Sequence, residues 1–154
     1  MAVGIGSPIS QLDRALGAVG ELVGNIRPEQ WSAATPCADW TVRQIVNHLI
    51  GMNLVFAAIL AGEPPPSRVD DTSDDELGRA YGESAAALVA AFEQPGVLDR
   101  SFDGPLGAVS GMDRLQIRLY DLLAHGWDLA RATGQPAQLP EASPNSPCPS
   151  LVDK

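Results

Sequence analysis

The chain has 154 residues, a length that suits one domain with a hydrophobic core of its own. Apolar residues make up 45% and aromatics only 5%, so alanine and leucine must fill the interior, which favours close-packed helices over sheets. A formal net charge of −9 argues against nucleic acid and anionic membrane surfaces as partners, since both reward clustered Lys and Arg.

Ser7 and Pro8 open the first predicted helix, one as the cap and the other at the first helical position. Ile9, Leu12, Leu16, Val19 and Val23 then recur at helical spacing, and Gly24 and Asn25 close the element. Residues 26–40 are a connection broken by Pro28 and Pro36, and Trp31, Trp40 and Cys37 are expected to fold back on the helices. Cys37 reads as a small buried thiol rather than a nucleophile or ligand. With Cys148 it makes neither a CxxC pair nor a disulfide framework.

Thr41 and Gln44 form a capping box for the second helix, which runs to Ala61 and stops at Gly62. Ile45, His48, Met52, Val55 and Ile59 share one face, so His48 is expected to point inward. The most apolar part, 49–61, is interrupted by Gly51 and Asn53 and falls short of the roughly 18 residues of a membrane span. No signal peptide opens the chain, and a cytoplasmic protein is expected.

Residues 63–71 contain three consecutive prolines and are a loop. Ser73 and Glu76 suggest a second capping box, ahead of a third helix carrying Leu77, Tyr81, Ala85, Leu88, Val89 and Phe92. The acidic residues from Asp70 to Glu76 suit a solvated helix start. Residues 97–111 could hold a short hairpin and are read as a long crossover loop. Ser110 and Asp113 begin the fourth helix, which ends at Thr133 before Gly134.

The fold expected is all-α: a four-helix bundle with long connecting loops and helices near 7–24, 41–61, 73–94 and 111–133. The bundle occupies residues 1–135. Residues 136–154 hold five prolines and no apolar period, and are expected to be a loosely ordered tail.

Asp121, His125 and Asp128 lie at spacings of four and three along the fourth helix, among Leu119, Leu122, Leu123 and Leu129. This is a polar stripe on a core-packed helix, and burying such groups costs several kcal/mol, of order, unless they find partners or an ion. His48 is the only other histidine. Two readings follow. In one, His48, Asp121 and His125 hold a divalent ion, and Asp128 fixes the tautomer of a ligating imidazole. In the other, the stripe is a buried Asp–His hydrogen bond with no ion.

The segments W-x-x-x-T-P-C-x-D-W-T-V-R at 31–43, N-H-L at 47–49 and H-G-W-D-L-A-R-A-T-G-Q at 125–135 together resemble a known family. It is the metal-binding domain of mycothiol-dependent maleylpyruvate isomerases, within the DinB-like, YfiT-like group of four-helix metalloproteins. The resemblance covers roughly residues 7–135. It implies a divalent metal on His48, Asp121 and His125, and their imidazole and carboxylate donors suit zinc first, with nickel as the alternative. The isomerase carries glutamate in place of Asp121, and relatives continue as folded chain beyond the position of Gln135.

The resemblance also implies thiol chemistry: a low-molecular-weight thiol such as mycothiol, activated by the ion, acts on a small electrophilic substrate by transfer or isomerisation. The partners expected are that thiol and that electrophile, with a homodimer admitted. Arg118 and Arg131 are candidates for anchoring a substrate carboxylate, against the plainer reading of solvated surface arginines. The alternative function is a non-catalytic bundle that binds metal, a small ligand or a partner.

Overall fold

Four capped helices carry the chain. In a computed structural model, residues 7–37, 39–64, 73–103, 107–136 and 139 are described. Helix α1 spans Pro8–Gly24, α2 Val42–Ala61, α3 Asp74–Phe92 and α4 Gly111–Thr133, so the all-α expectation holds to within a residue or two at each end. The caps are local chemistry. Ser7 accepts from the Ser10 amide, and Ser110 accepts from the Asp113 amide. Thr41 and Gln44 form the expected reciprocal box, and Gly62 and Gly134 end α2 and α4 in the left-handed conformation that glycine adopts without strain.

Two local expectations are corrected. Ser73 stands at the cap position of α3 but makes no side-chain cap hydrogen bond. The start of α3 is tied down instead by a two-pronged ion pair from Arg43, 2.6 and 2.8 Å from the two Asp74 oxygens. Residues 97–111 are more ordered than a crossover loop. A 3-10 turn at Val97–Asp99 leads into an antiparallel pair, β1 (Ser101–Phe102) with β2 (Val109–Ser110). Arg114, buried on α4, holds this hairpin by donating to the Phe102 carbonyl at 2.7 Å. Gly111 fits beneath it because a Cβ there would overlap the Val97 carbonyl.

The helices pack in a ring, α1 against α3 and α4, and α2 against α3 and α4. Consecutive α1 and α2 therefore sit on a diagonal, as do α3 and α4, which is why the 25–41 and 93–110 connections are long. The core is built from Leu12, Leu16 and Val19 of α1, Ile45, Leu49 and Ile50 of α2, Leu77, Leu88 and Phe92 of α3, and Leu115, Leu122 and Leu129 of α4.

Helix α2 buries a different face from the one expected. Val42, Ile45, Val46, Leu49, Ile50, Asn53 and Phe56 are buried, whereas His48, Met52, Val55 and Ile59 are half-buried at its edge. Helix α2 is also long and apolar enough to cross a membrane, with a mean hydropathy of 1.6, contrary to the sequence reading. Length and hydropathy do not distinguish a core helix from a span. Here α2 is clasped by α3 and α4 and buries a polar residue, Asn53, whose amide donates to Ser84 Oγ at 3.1 Å. Most of the expected tail, 136–154, lies outside the described residues. Leu139 is described, and it packs on the core over Gly126.

Candidate metal centre

The site is assembled where α2 and α4 face each other. Asp121 and His125, one turn apart on α4, project together toward His48 at the edge of the buried face of α2. His48 Nε2 lies 3.1 Å from Asp121 Oδ2 and 3.4 Å from Oδ1. His125 Nε2 lies 3.4 Å from Asp121 Oδ1. One ligand-type atom from each residue falls within 4.8 Å of the others. His48 and Asp121 keep a little exposure, 20% and 18%, while His125 has none, so the cluster opens toward solvent on the His48–Asp121 side.

Two imidazole nitrogens and one carboxylate oxygen form a donor set suited to zinc or a similar divalent ion. Ligand atoms about 2.1 Å from a tetrahedral ion are about 3.4 Å apart. Two of the observed separations already match, and the third is no more than 4.8 Å, so a small closure of the side chains completes the set. Both ring nitrogens of His125 are buried and make no well-formed hydrogen bond among the described residues, although carboxylate oxygens of Asp121 and Asp128 lie 3.4 and 3.7 Å from them. An imidazole buried in this way is incompletely satisfied by its carboxylate neighbours, and a ligand at Nε2 would improve on them. The residues therefore fit an ion.

Electrostatics tighten the cluster. Arg118 is 1% exposed, and its Nη1 lies 2.9 Å from Asp121 Oδ2. It is not a surface arginine and cannot be an open anchor for substrate; Arg131 is the exposed one of the two. Burial works to raise the Asp121 pKa, but His125, His48 and the Arg118 charge outweigh it and hold the carboxyl well below the usual range. Burial likewise opposes charge on His125, yet the Asp121 and Asp128 carboxylates together raise its pKa. Asp128 faces His125 Nδ1 at 3.7 Å, so it stands in the place expected of it but is too distant for a hydrogen bond.

Trp40 belongs to the site, and its role was not read from the sequence. Its ring stacks on His125, with centroids 5.3 Å apart and planes 17° from parallel, and leans on His48 at 4.8 Å. The preceding turn puts it there. Thr35 Oγ1 lies 2.8 Å from the Cys37 and Trp40 carbonyl oxygens, and the Trp40 amide donates to the Cys37 carbonyl at 2.9 Å. The amides of Val42 and Arg43 donate back to Ala33 and Trp31. Cys37 is wholly buried in this turn, as expected, but it is not a free thiol. The available signal is the placement of Trp40 directly before the Thr41 cap, eight positions ahead of His48.

Comparison with known proteins agrees with this architecture. An uncharacterized protein from each of two strains of Mycobacterium tuberculosis, Rv0738 and MT0763, is 36% identical over 133 residues, covering 86% of this chain and 70% of the relative. The crystal structure of a histidine-to-alanine mutant of mycothiol-dependent maleylpyruvate isomerase superposes with a TM-score of 0.69 at 13% identity. That likeness covers 79% of this chain but 59% of the other, so the chain spans little more than half of that enzyme, and the likeness establishes the fold. Residues 12–130 match the mycothiol maleylpyruvate isomerase N-terminal domain, and the chain belongs to that family.

Proposed function

We propose that this chain is a divalent-metal-binding domain that serves thiol chemistry on small electrophilic molecules in the cytoplasm. His48, Asp121 and His125 hold the ion, which is zinc, with nickel as the alternative. When bound, a divalent cation stabilises a coordinating thiol as thiolate, the nucleophilic form. The chain's own residues do the rest. Asp121, kept ionised by its neighbours, supplies the anionic ligand; Trp40 holds both imidazoles in place; the partial exposure of His48 and Asp121 leaves an approach for thiol and substrate.

The observation that carries this reading is the convergence of the three ligand-type atoms within 4.8 Å, beside buried His125 nitrogens that make no well-formed hydrogen bond among the described residues. A mycothiol-type thiol is supported by family membership and by the name of the structural neighbour. The test is elemental analysis of protein purified without a histidine tag, followed by a screen for thiol addition to electrophiles. One equivalent of metal and metal-dependent thiol consumption are expected. Absence of metal, with melting unchanged by chelator, would overturn the proposal.

A second reading has an observation of its own. Asp121 is already satisfied by Arg118 and His48 without any ion, as a purely structural cluster requires. A metal-loaded protein inert toward every thiol–electrophile pair would favour its wider form, a non-catalytic binding bundle.

A further inference from the structure

The cluster contains one positive charge that the ligand set does not use. Arg118 is 1% exposed and touches Asp121 through Nη1 at 2.9 Å. Its Nε and Nη2 are buried and lack hydrogen-bond partners among the described residues. The Phe56 ring lies 5.8 Å from the guanidinium carbon, so its surroundings are partly apolar. A guanidinium keeps its proton in proteins, and water screens this one little. Asp128, 3.7 Å from His125, adds a carboxylate at the site among the described residues.

We infer that Arg118 sets the charge class of the ligand that completes this centre, so that the loaded site selects an anion, such as a thiolate, over a neutral donor. The inference rests on the reading that His48, Asp121 and His125 hold a divalent ion. Two neutral imidazoles leave the ion's two positive charges untouched, and the Asp121 and Asp128 carboxylates cancel them. Arg118 then restores one net positive charge, which an anionic ligand neutralises. Without Arg118 the loaded cluster is already neutral, and an anion would leave it negative in a mostly buried setting. A unit charge several ångström away, at an effective dielectric of about 20, shifts an equilibrium by on the order of tenfold or more. Arg118 thus determines specificity without being a ligand itself.

The test uses the full chain loaded with cobalt(II), whose visible absorption reports ligand exchange. It is titrated at one buffered pH with azide, an anion in solution, with 2-mercaptoethanol, which binds as its thiolate and releases its proton to the buffer, and with imidazole as the neutral probe. Wild type is expected to favour the anionic probes. Arg118→Met should weaken them by on the order of tenfold or more relative to imidazole, and Arg118→Lys, which keeps the charge, should retain the preference. Equal loss of all three probes in Arg118→Met, or no loss, overturns the inference. Should Arg118→Met not fold, the other two proteins still decide: no anion preference in wild type, or its loss in Arg118→Lys, overturns it. Failure of wild type to take up cobalt is a different result, and it overturns the metal reading itself.

Discussion

His48 and Asp121 are 73 positions apart in the chain, yet His48 Nε2 and Asp121 Oδ2 lie 3.1 Å apart across the α2–α4 interface. That contact joins the only histidine of α2 to the acid-x-x-x-His pair of α4, and the first prediction follows from it. Replacing His48 or His125 with alanine should abolish stoichiometric metal binding, because two remaining ligands hold a divalent ion poorly against water. Asp121→Ala should weaken binding, and Asp121→Glu should preserve it if α2 and α4 tolerate the longer reach. Asp128→Asn should act more mildly, about 10–100-fold on affinity. Isothermal titration with zinc checks the series; full binding in His48→Ala would remove His48 from the ligand set.

Trp40 should matter to both stability and metal affinity. Its ring covers His125 and leans on His48, and aromatic contacts of this kind contribute about 0.5–1.5 kcal/mol beyond area burial. Trp40→Ala should lower the melting temperature and loosen zinc binding, whereas Trp40→Phe should restore most of both. Indole fluorescence offers an independent readout: zinc should change the emission of wild type and leave much less change in Trp40→Phe.

The metal-free protein should be acid-sensitive through Asp121. Its folded-state pKa is depressed, so the unfolded chain binds the proton more readily. Its stabilising contribution is complete above the ordinary carboxyl pKa of about 3.9 and declines as pH falls below it. Chemical denaturation at pH 7, 4 and 3 should show that decline. Asp121→Asn should flatten it and cost about 3–5 kcal/mol at neutral pH, since Arg118 would be left buried without its partner. An unchanged slope in the variant would show that other carboxyls govern acid unfolding.

Leu139 tests whether chain beyond α4 supports the bundle. Its side chain lies so close over Gly126 that a Cβ there would come within 3.0 Å of Leu139 Cδ1. The sequence reads residues 136–154 as a loosely ordered tail, because they lack an apolar period. Among the described residues of that stretch Leu139 packs on the core, and one isolated contact is not something periodicity can reveal. Leu139→Ala should lower stability by about 1 kcal/mol, a few degrees in melting temperature, as for a partly buried leucine. An unchanged melting curve would restore the original expectation.

The sequence by itself determined the four helices, most of their caps and the identity of the three clustered residues. These are local properties. Helical period, a hydroxyl before the first turn and a glycine after the last act over a few residues, so they can be read one segment at a time. Asp121 and His125 share a face by spacing alone, and His48 was found because the chain has only one other histidine.

Only the tertiary structure decided the rest, and the reasons are non-local. The buried face of α2 is set by the positions of α3 and α4, and it turned His48 to an edge where it keeps some contact with water. Arg118 defaults to the surface in any reading of sequence because burying a lone charge is costly. Asp121 at i+3 was the visible hint, but the ring of helices is what encloses the pair. Trp40 reaches the site through a turn held by backbone bonds to Trp31, Ala33 and Cys37, a geometry with no period to detect. The helix pattern brought the ligating residue types to the interior, and the packing of α2 on α4 placed their atoms within reach of one another.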